Sequence, residues 1–215
     1  MKHSEIIYKN PVFSVLSSRE RSVFEANATF LHFDDEEMFI KESSMISSVY
    51  FMVKGMAKIC FGKKQLFWLS GSGDFLGLAS LYVAEPIFFS AYAVTDTVVL
   101  QIDAHVFRKF IATNPLFLNA VFCQNGLDFR QLTRNNNASK KTKLSGAVAG
   151  FLLEYSPKGF LKHLTRKEIG EMLGYSRENI TKIIQVFLKE KYIAENDRQI
   201  TLLDRKALEQ IARFG

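Results

Sequence analysis

The sequence predicts an α+β chain: a β-rich first half folded as a sandwich, roll or barrel, then a long helix, then a basic helical unit that ends in a β-hairpin. Three observations predict it. Short apolar stretches punctuated by glycine recur through the first hundred residues. Apolar side chains from 118 to 132 repeat at spacings of four and three. Beyond residue 164, two short helical patterns flank Gly174, each opened by a capping residue.

The strands come first. Val49–Val53, Ala57–Phe61 and Gln65–Leu69 are apolar runs of strand length, separated by Gly55, by Gly62-Lys63-Lys64 and by Gly71-Ser72-Gly73-Asp74. Tyr92 to Ile102 continues the pattern, with a turn at Thr95-Asp96, and most of the 20 phenylalanines fall in this half to fill its core. Asp103 to Ala112 reads as a short helix. Asn114-Pro115 then opens a longer one, because proline fits the first helical turn. In that helix Leu118, Phe122, Asn125, Phe129 and Leu132 form a seam of the kind that joins two helices, and one polar Asn in it sets register. The polar stretch Arg134–Lys141 marks a boundary. The expected layout is 1–112 for the β-domain, 113–137 for the joining helix and 138–215 for the last domain.

Charge separates the two ends. Residues 1–137 carry 13 Lys and Arg against 13 Asp and Glu, whereas 138–215 carry 15 against 9, so the whole net charge of +6 lies in the last part. A neutral block followed by a basic one fits a sensing or assembly domain joined to one that binds a polyanion. No apolar run reaches membrane-spanning length, and no signal-peptide core follows Met1, so a cytoplasmic chain with no membrane partner is expected. Two cysteines cannot build a disulfide framework. Cys123 reads as a buried structural thiol in preference to a redox switch.

The last unit carries the chemistry. Thr165 and Glu168 have capping-box spacing, and Ile169, Met172 and Leu173 give the short helix an apolar stripe. Gly174 permits a left-handed turn, and Ser176 caps the next helix. That helix sets Ile180, Ile183, Ile184, Phe187 and Leu188 on one side, with Arg177, Glu178, Thr181, Lys182 and Gln185 on the other. A short helix, a turn and a two-faced second helix make a helix-turn-helix, whose free face enters the major groove of double-stranded DNA. Arg can donate two bonds to guanine, Glu can accept from cytosine, and Lys can reach guanine or phosphate. Tyr192-Ile193, a turn at Asn196-Asp197 and the strand-like Gln199–Leu203 suggest a wing.

Nearly end to end, the chain resembles the CRP/FNR family of bacterial transcription regulators. Val49-Tyr50-Phe51-Met52-Val53-Lys54-Gly55, Gly73-Asp74-Phe75-Leu76-Gly77 and Asp96-Thr97-Val98-Val99-Leu100 resemble its cyclic-nucleotide-binding roll. Ser176-Arg177-Glu178 with Lys182 resembles its recognition helix, which usually has Arg where Lys182 stands. The resemblance implies an N-terminal roll, a long dimerisation helix and a C-terminal winged helix-turn-helix. It also implies a homodimer on a two-fold symmetric operator and contact with RNA polymerase. Arg177, Glu178, Thr181 and Lys182 would read bases, while Thr165, Arg166 and Ser176 would hold phosphates.

The departures concern the effector. Leu78 stands where nucleotide-binding members have Glu, Ile87 and Phe88 stand where they have Arg with Ser or Thr, and Leu132-Thr133 stand where they contact the base. An anion enclosed without such donors loses its desolvation compensation, so cyclic AMP and cyclic GMP are poor candidates. An apolar small-molecule effector in the Phe-rich roll, or none at all, is expected. The alternatives are a haem-sensing regulator of the family, using His3, His32, His105 or a cysteine as axial ligand, and a redox-sensing one. A cupin-like metal enzyme is the distant rival: the histidines at 3, 32, 105 and 163 show no ligand spacing, and Asp34–Glu37 reads as a solvated turn. No catalytic site, metal site or required cofactor is expected. A non-specific architectural DNA binder would need the basic surface alone.

Overall fold

The computed structural model describes residues 7–45, 47–62, 65–83, 85–126, 143–197 and 199–214, and among them helices Pro11–Ser14 and Ser18–Ala26 stand ahead of the first strand. Helix α1 (Pro11–Ser14) starts where the Asn10 side chain accepts from the Val12 N–H and Pro11 takes the first helical position. Helix α2 (Ser18–Ala26) opens on a full capping box between Ser17 and Glu20. These helices lie outside the strand pattern read from the sequence, while the rest of the first hundred residues is mainly β, as expected. The Glu20 carboxyl also accepts from the Asn114 side-chain amide at 2.8 Å. The Ser17 hydroxyl, the Ser17 backbone N–H and that amide, in this order, hold it below the usual carboxylate range.

The strands are β1 (Ala28–Phe33), β2 (Met38–Ile40), β3 (Ser48–Lys54), β4 (Met56–Phe61), β5 (Gln65–Gly71), β6 (Phe75–Leu76), β7 (Ser90–Ala93) and β8 (Thr97–Asp103). They form two four-stranded sheets, ordered β1-β8-β3-β6 and β2-β7-β4-β5. In the first sheet β8 lies between β1 and β3, antiparallel to both, with Phe51 opposite Leu100 and Leu100 opposite Phe30. Alternation then sends Val49, Phe51, Val53, Val98, Leu100 and Ile102 to one face. That face packs on helices, in one core with Phe13, Phe24, Phe107, Phe110 and Phe117.

Those rings interlock. Phe13 lies 4.8 Å from Phe51, edge to face, and Phe75 and Phe117 are further neighbours of it. Helix α3 (Ala104–Thr113) is capped by Asp103, whose carboxylate accepts from the His105 and Val106 N–H groups. After Asn114, which caps the Phe117 N–H, helix α4 covers 115–126. The expected boundary at 134–141 and the rest of the joining helix lie outside the described residues.

The last part holds α5 (Leu144–Tyr155), α6 (Arg166–Leu173), α7 (Arg177–Lys189), β9 (Ile193–Asn196), β10 (Gln199–Leu202) and α8 (Arg205–Phe214). Helix α5 is apolar on most sides and is buried between α7 and α8. A helix without a polar face shows no amphipathic period, so sequence pattern does not announce it. Strands β9 and β10 pair antiparallel across a tight turn at Asp197, as a wing. Two compact units result, one of 7–62 with 69–126 and one of 143–214 with 65–68. Among the described residues no helix is long and apolar enough to cross a membrane.

Candidate nucleic-acid interface

The interface begins at the α6 N-terminus. The Glu168 N–H donates to the Thr165 hydroxyl at 3.2 Å, and the Thr165 N–H donates back to the Glu168 carboxylate at 2.8 Å. Ile169 and Leu173 are buried, and the helix ends on Gly174 at φ 74°, a left-handed value that suits glycine. The turn is tight. The Tyr175 N–H donates to the Gly170 carbonyl at 2.9 Å. A Cβ on Gly170 would lie 2.4 Å from the Tyr175 carbonyl oxygen, so residue 170 has room for hydrogen alone. Gly170→Ala is therefore expected to destabilise the last unit by about 1–3 kcal/mol, because backbone must move to admit the methyl. A thermal unfolding profile in which that unit's transition stays where it was would contradict this packing.

Helix α7 then presents two faces. Ser176 accepts from the Asn179 N–H at 3.3 Å and fixes the start. Ile180, Ile184 and Phe187 are buried, with Ile183 and Leu188 partly so. Arg177, Glu178, Lys182 and Gln185 are exposed. Thr181 is half-buried and donates its hydroxyl proton to the Arg177 carbonyl at 2.8 Å, which leaves the oxygen as an acceptor. The Glu178 carboxyl is held below the usual carboxylate range, first by its own backbone N–H and then by the Ser176 hydroxyl. Arg177 and Lys182 add to the same lowering. Glu178 is therefore an anion, and an acceptor, at neutral pH and for some way below it.

Beside the start of α7, Leu164, Thr165, Arg166, Lys167, Arg177 and Glu195 line an open concavity of about 460 Å3. Of the expected phosphate holders, Thr165 and Arg166 meet here, and Arg177 of the expected reading face meets them. All three phosphate holders have partners within the chain. The Thr165 hydroxyl donates to Glu168, Ser176 serves its cap and Glu178, and the Arg166 guanidinium donates to the Glu195 carboxylate at 2.5 Å. Lys167 and Glu195 are not among the residues expected from sequence. Lys167 is signalled by its place in the first turn of a capped helix, but Glu195 depends on the register of the wing.

In the β-domain, Leu78 packs against the phenylalanine core. It lines a small apolar groove of about 120 Å3 with Tyr82, Ile111, Phe122 and Asn125. It thus joins two residues of the expected seam, and neither Ile87 nor Phe88 shares that groove. Ile87 is buried, its N–H donating to the Ser44 carbonyl, while Phe88 is 56% exposed and lies against Phe61 and Phe89. Along α4, Phe117 and Val121 turn into the core, whereas Phe122, 67% exposed, and Asn125 face outward, with Leu118 partly covered. Phe129, Leu132 and Thr133 lie outside the described residues. Cys123 is exposed on α4, not buried, because Phe117 and Val121 take the inward side. His32 and His105 are exposed. Among the described residues no three His, Cys, Asp or Glu side chains gather where they could hold a metal.

A two-sheet roll followed by a winged helix-turn-helix with an open, polar second helix defines a class of DNA-binding transcription regulators. The comparisons with known proteins agree. A family model described as a Crp-like helix-turn-helix domain matches residues 146–211, and one described as a cyclic nucleotide-binding domain matches 30–114. The chain is 24% identical over 193 residues to the cAMP-activated global transcriptional regulator CRP of Haemophilus influenzae, covering 83% of this chain and 82% of the relative. It is 26% identical over 181 residues to a CRP-like cAMP-activated global transcriptional regulator of Mycobacterium tuberculosis, covering 77% and 80%. Its fold is similar to that of FixK2 from Bradyrhizobium japonicum, with a TM-score of 0.73 at 19% identity over 86% of this chain and 96% of that one. A Thermus thermophilus transcriptional regulator of the CRP/FNR family gives 0.73 at 20%, over 86% and 98%. The chain belongs to the CRP/FNR family and is a transcription regulator with a helix-turn-helix DNA-binding domain.

Proposed function

We propose that this regulator is a cytoplasmic homodimer that reads a two-fold symmetric operator and has no enzymatic activity. Arg177, Glu178, Thr181 and Lys182 read bases in the major groove, while Thr165, Arg166 and Ser176 hold flanking phosphates. The observation that carries this is the open polar face of α7, backed by Ile180, Ile184 and Phe187. A face held at a fixed angle by a buried stripe can meet a groove without rearranging. The layout is a sensor domain over 1–112, a dimerisation helix over 113–137 and a DNA-binding domain over 138–215. Two α7 helices then enter successive major grooves about 34 Å apart. RNA polymerase is the protein partner this family role requires.

The roll serves as a degenerate sensor that does not take a cyclic nucleotide, although the curated relatives named above are cAMP-activated. Leu78, Ile87 and Phe88 offer no charged donor to a cyclic phosphate, and burying that anion without one is costly. Selection from a pool of randomised duplexes at fixed salt tests the DNA reading. It should return inverted half-sites one helical turn apart, bound at least about a thousandfold more tightly than random duplex. Recovery of unrelated sequences with equal affinity would leave only phosphate contact and overturn the reading.

A further inference from the structure

We propose that Glu195 competes with DNA phosphate for Arg166, and so lowers sequence-independent binding without touching the base-reading face. This rests on the phosphate role given to Arg166 above. Arg166 lies in the first turn of α6, the helix end whose exposed N–H groups favour anions. Its Nη2 donates to the Glu195 Oε1 at 2.5 Å, with the two side chains only 20% and 28% exposed. Partial shielding from water makes such a pair tighter than an ordinary surface one.

Two features favour competition over mere positioning. First, the contact takes Nη2, one of the two terminal nitrogens of the guanidinium fork, and so denies a phosphate a two-pronged grip at that end. A carboxylate that only aimed the arginine would leave that end to the ligand. Second, the concavity is otherwise cationic: Arg166, Lys167 and Arg177 line it, and Glu195 is the one acidic residue among its named lining residues. Wing strand β9 delivers this carboxylate by register, since Glu195 pairs with Ile200, whose buried side chain anchors the hairpin. A phosphate entering the concavity must displace Glu195 from Arg166 or stay beside a like charge. Base contacts by Arg177, Glu178 and Lys182 are unaffected, so the cost falls equally on operator and random duplexes, lowering affinity for both and leaving their ratio unchanged.

The test measures binding of a random-sequence duplex across a salt series, by fluorescence anisotropy, for the full chain and for Glu195→Gln, Glu195→Ala, Arg166→Ala and the Arg166→Ala/Glu195→Gln pair. Freeing Arg166 adds one phosphate contact in each subunit of the dimer, so both Glu195 variants should bind more tightly and steepen the log–log salt slope by about 1.8. Between 50 and 200 mM salt this is an additional loss of about 12-fold. In the Arg166→Ala background the Glu195→Gln change should leave the slope where Arg166→Ala put it. If Arg166→Ala weakens random binding but the Glu195 variants show an unchanged or shallower slope, Glu195 is not a competitor and the proposal fails alone. If Arg166→Ala itself leaves affinity and slope intact, the phosphate role of Arg166 falls, and the proposal with it.

Discussion

Replacing Arg177 with alanine is expected to remove about 1–3 kcal/mol of binding from each half-site of the selected operator and to relax preference at one base pair there. In a dimer both half-sites lose the contact, so the effect on the whole operator is roughly the square of that on one. The reason lies in geometry. Arg177 is the first residue of α7, exposed, one position after the Ser176 cap that fixes the helix start. Its guanidinium can donate two parallel bonds to the O6 and N7 of guanine, which no other base presents together. Arg177→Lys should restore part of the affinity and little of the preference, because an ammonium is a point charge without the fork. Binding curves against the operator and its single-base variants check this. Intact affinity and an intact preference profile in Arg177→Ala would show that the reading face is wrongly assigned.

The second large effect is expected from Phe122→Asp. Phe122 projects from α4 on the side away from the phenylalanine core, next to Asn125 in the four-three pattern, and is 67% exposed in the single chain. If α4 is the joining helix, a second copy covers this ring. A carboxylate there must be buried without a partner, which costs several kcal/mol in each subunit. Sedimentation at micromolar concentration should show monomer, with operator affinity lost and residual binding to one half-site. Because Phe122 does not pack into the core, the roll itself should unfold at its usual temperature. An unchanged dimer would place the interface elsewhere. The paired variant Phe117→Asp should instead unfold the roll, since Phe117 is fully buried among Phe13, Phe107 and Phe110.

The two-faced character of α7 is legible in sequence because local chemistry writes it. Thr165 with Glu168, Gly174 and Ser176 are each set by backbone groups within four residues, and all three behave in the structure as their spacing says. The strands of the roll are legible for the same reason, as alternation bounded by glycine. Helix α2 is equally open to reading, since Ser17 and Glu20 have the same spacing as Thr165 and Glu168, but the dense strand signals that follow mask it. Helix α5 is not, because a segment buried nearly all round shows no period. Glu195 and Gly170 mark the deeper limit. One matters through strand register and the other through a carbonyl five residues on, so neither has a local signature. The exposure of Cys123 likewise follows only from which side of α4 the core claims.

The interlocked phenylalanines carry a practical consequence for anyone who trims this chain to a minimal sensor fragment. Phe13 and Phe24 come from ahead of the first strand, and Phe107, Phe110 and Phe117 from behind the last one of the roll. A fragment cut to the sheets alone would strip rings from both sides of Phe51 and Phe75 and leave a wet, collapsing interior. Ligand screening therefore needs a piece that begins before Ile7 and runs past Val121, the outermost side chains of that shared interior among the described residues.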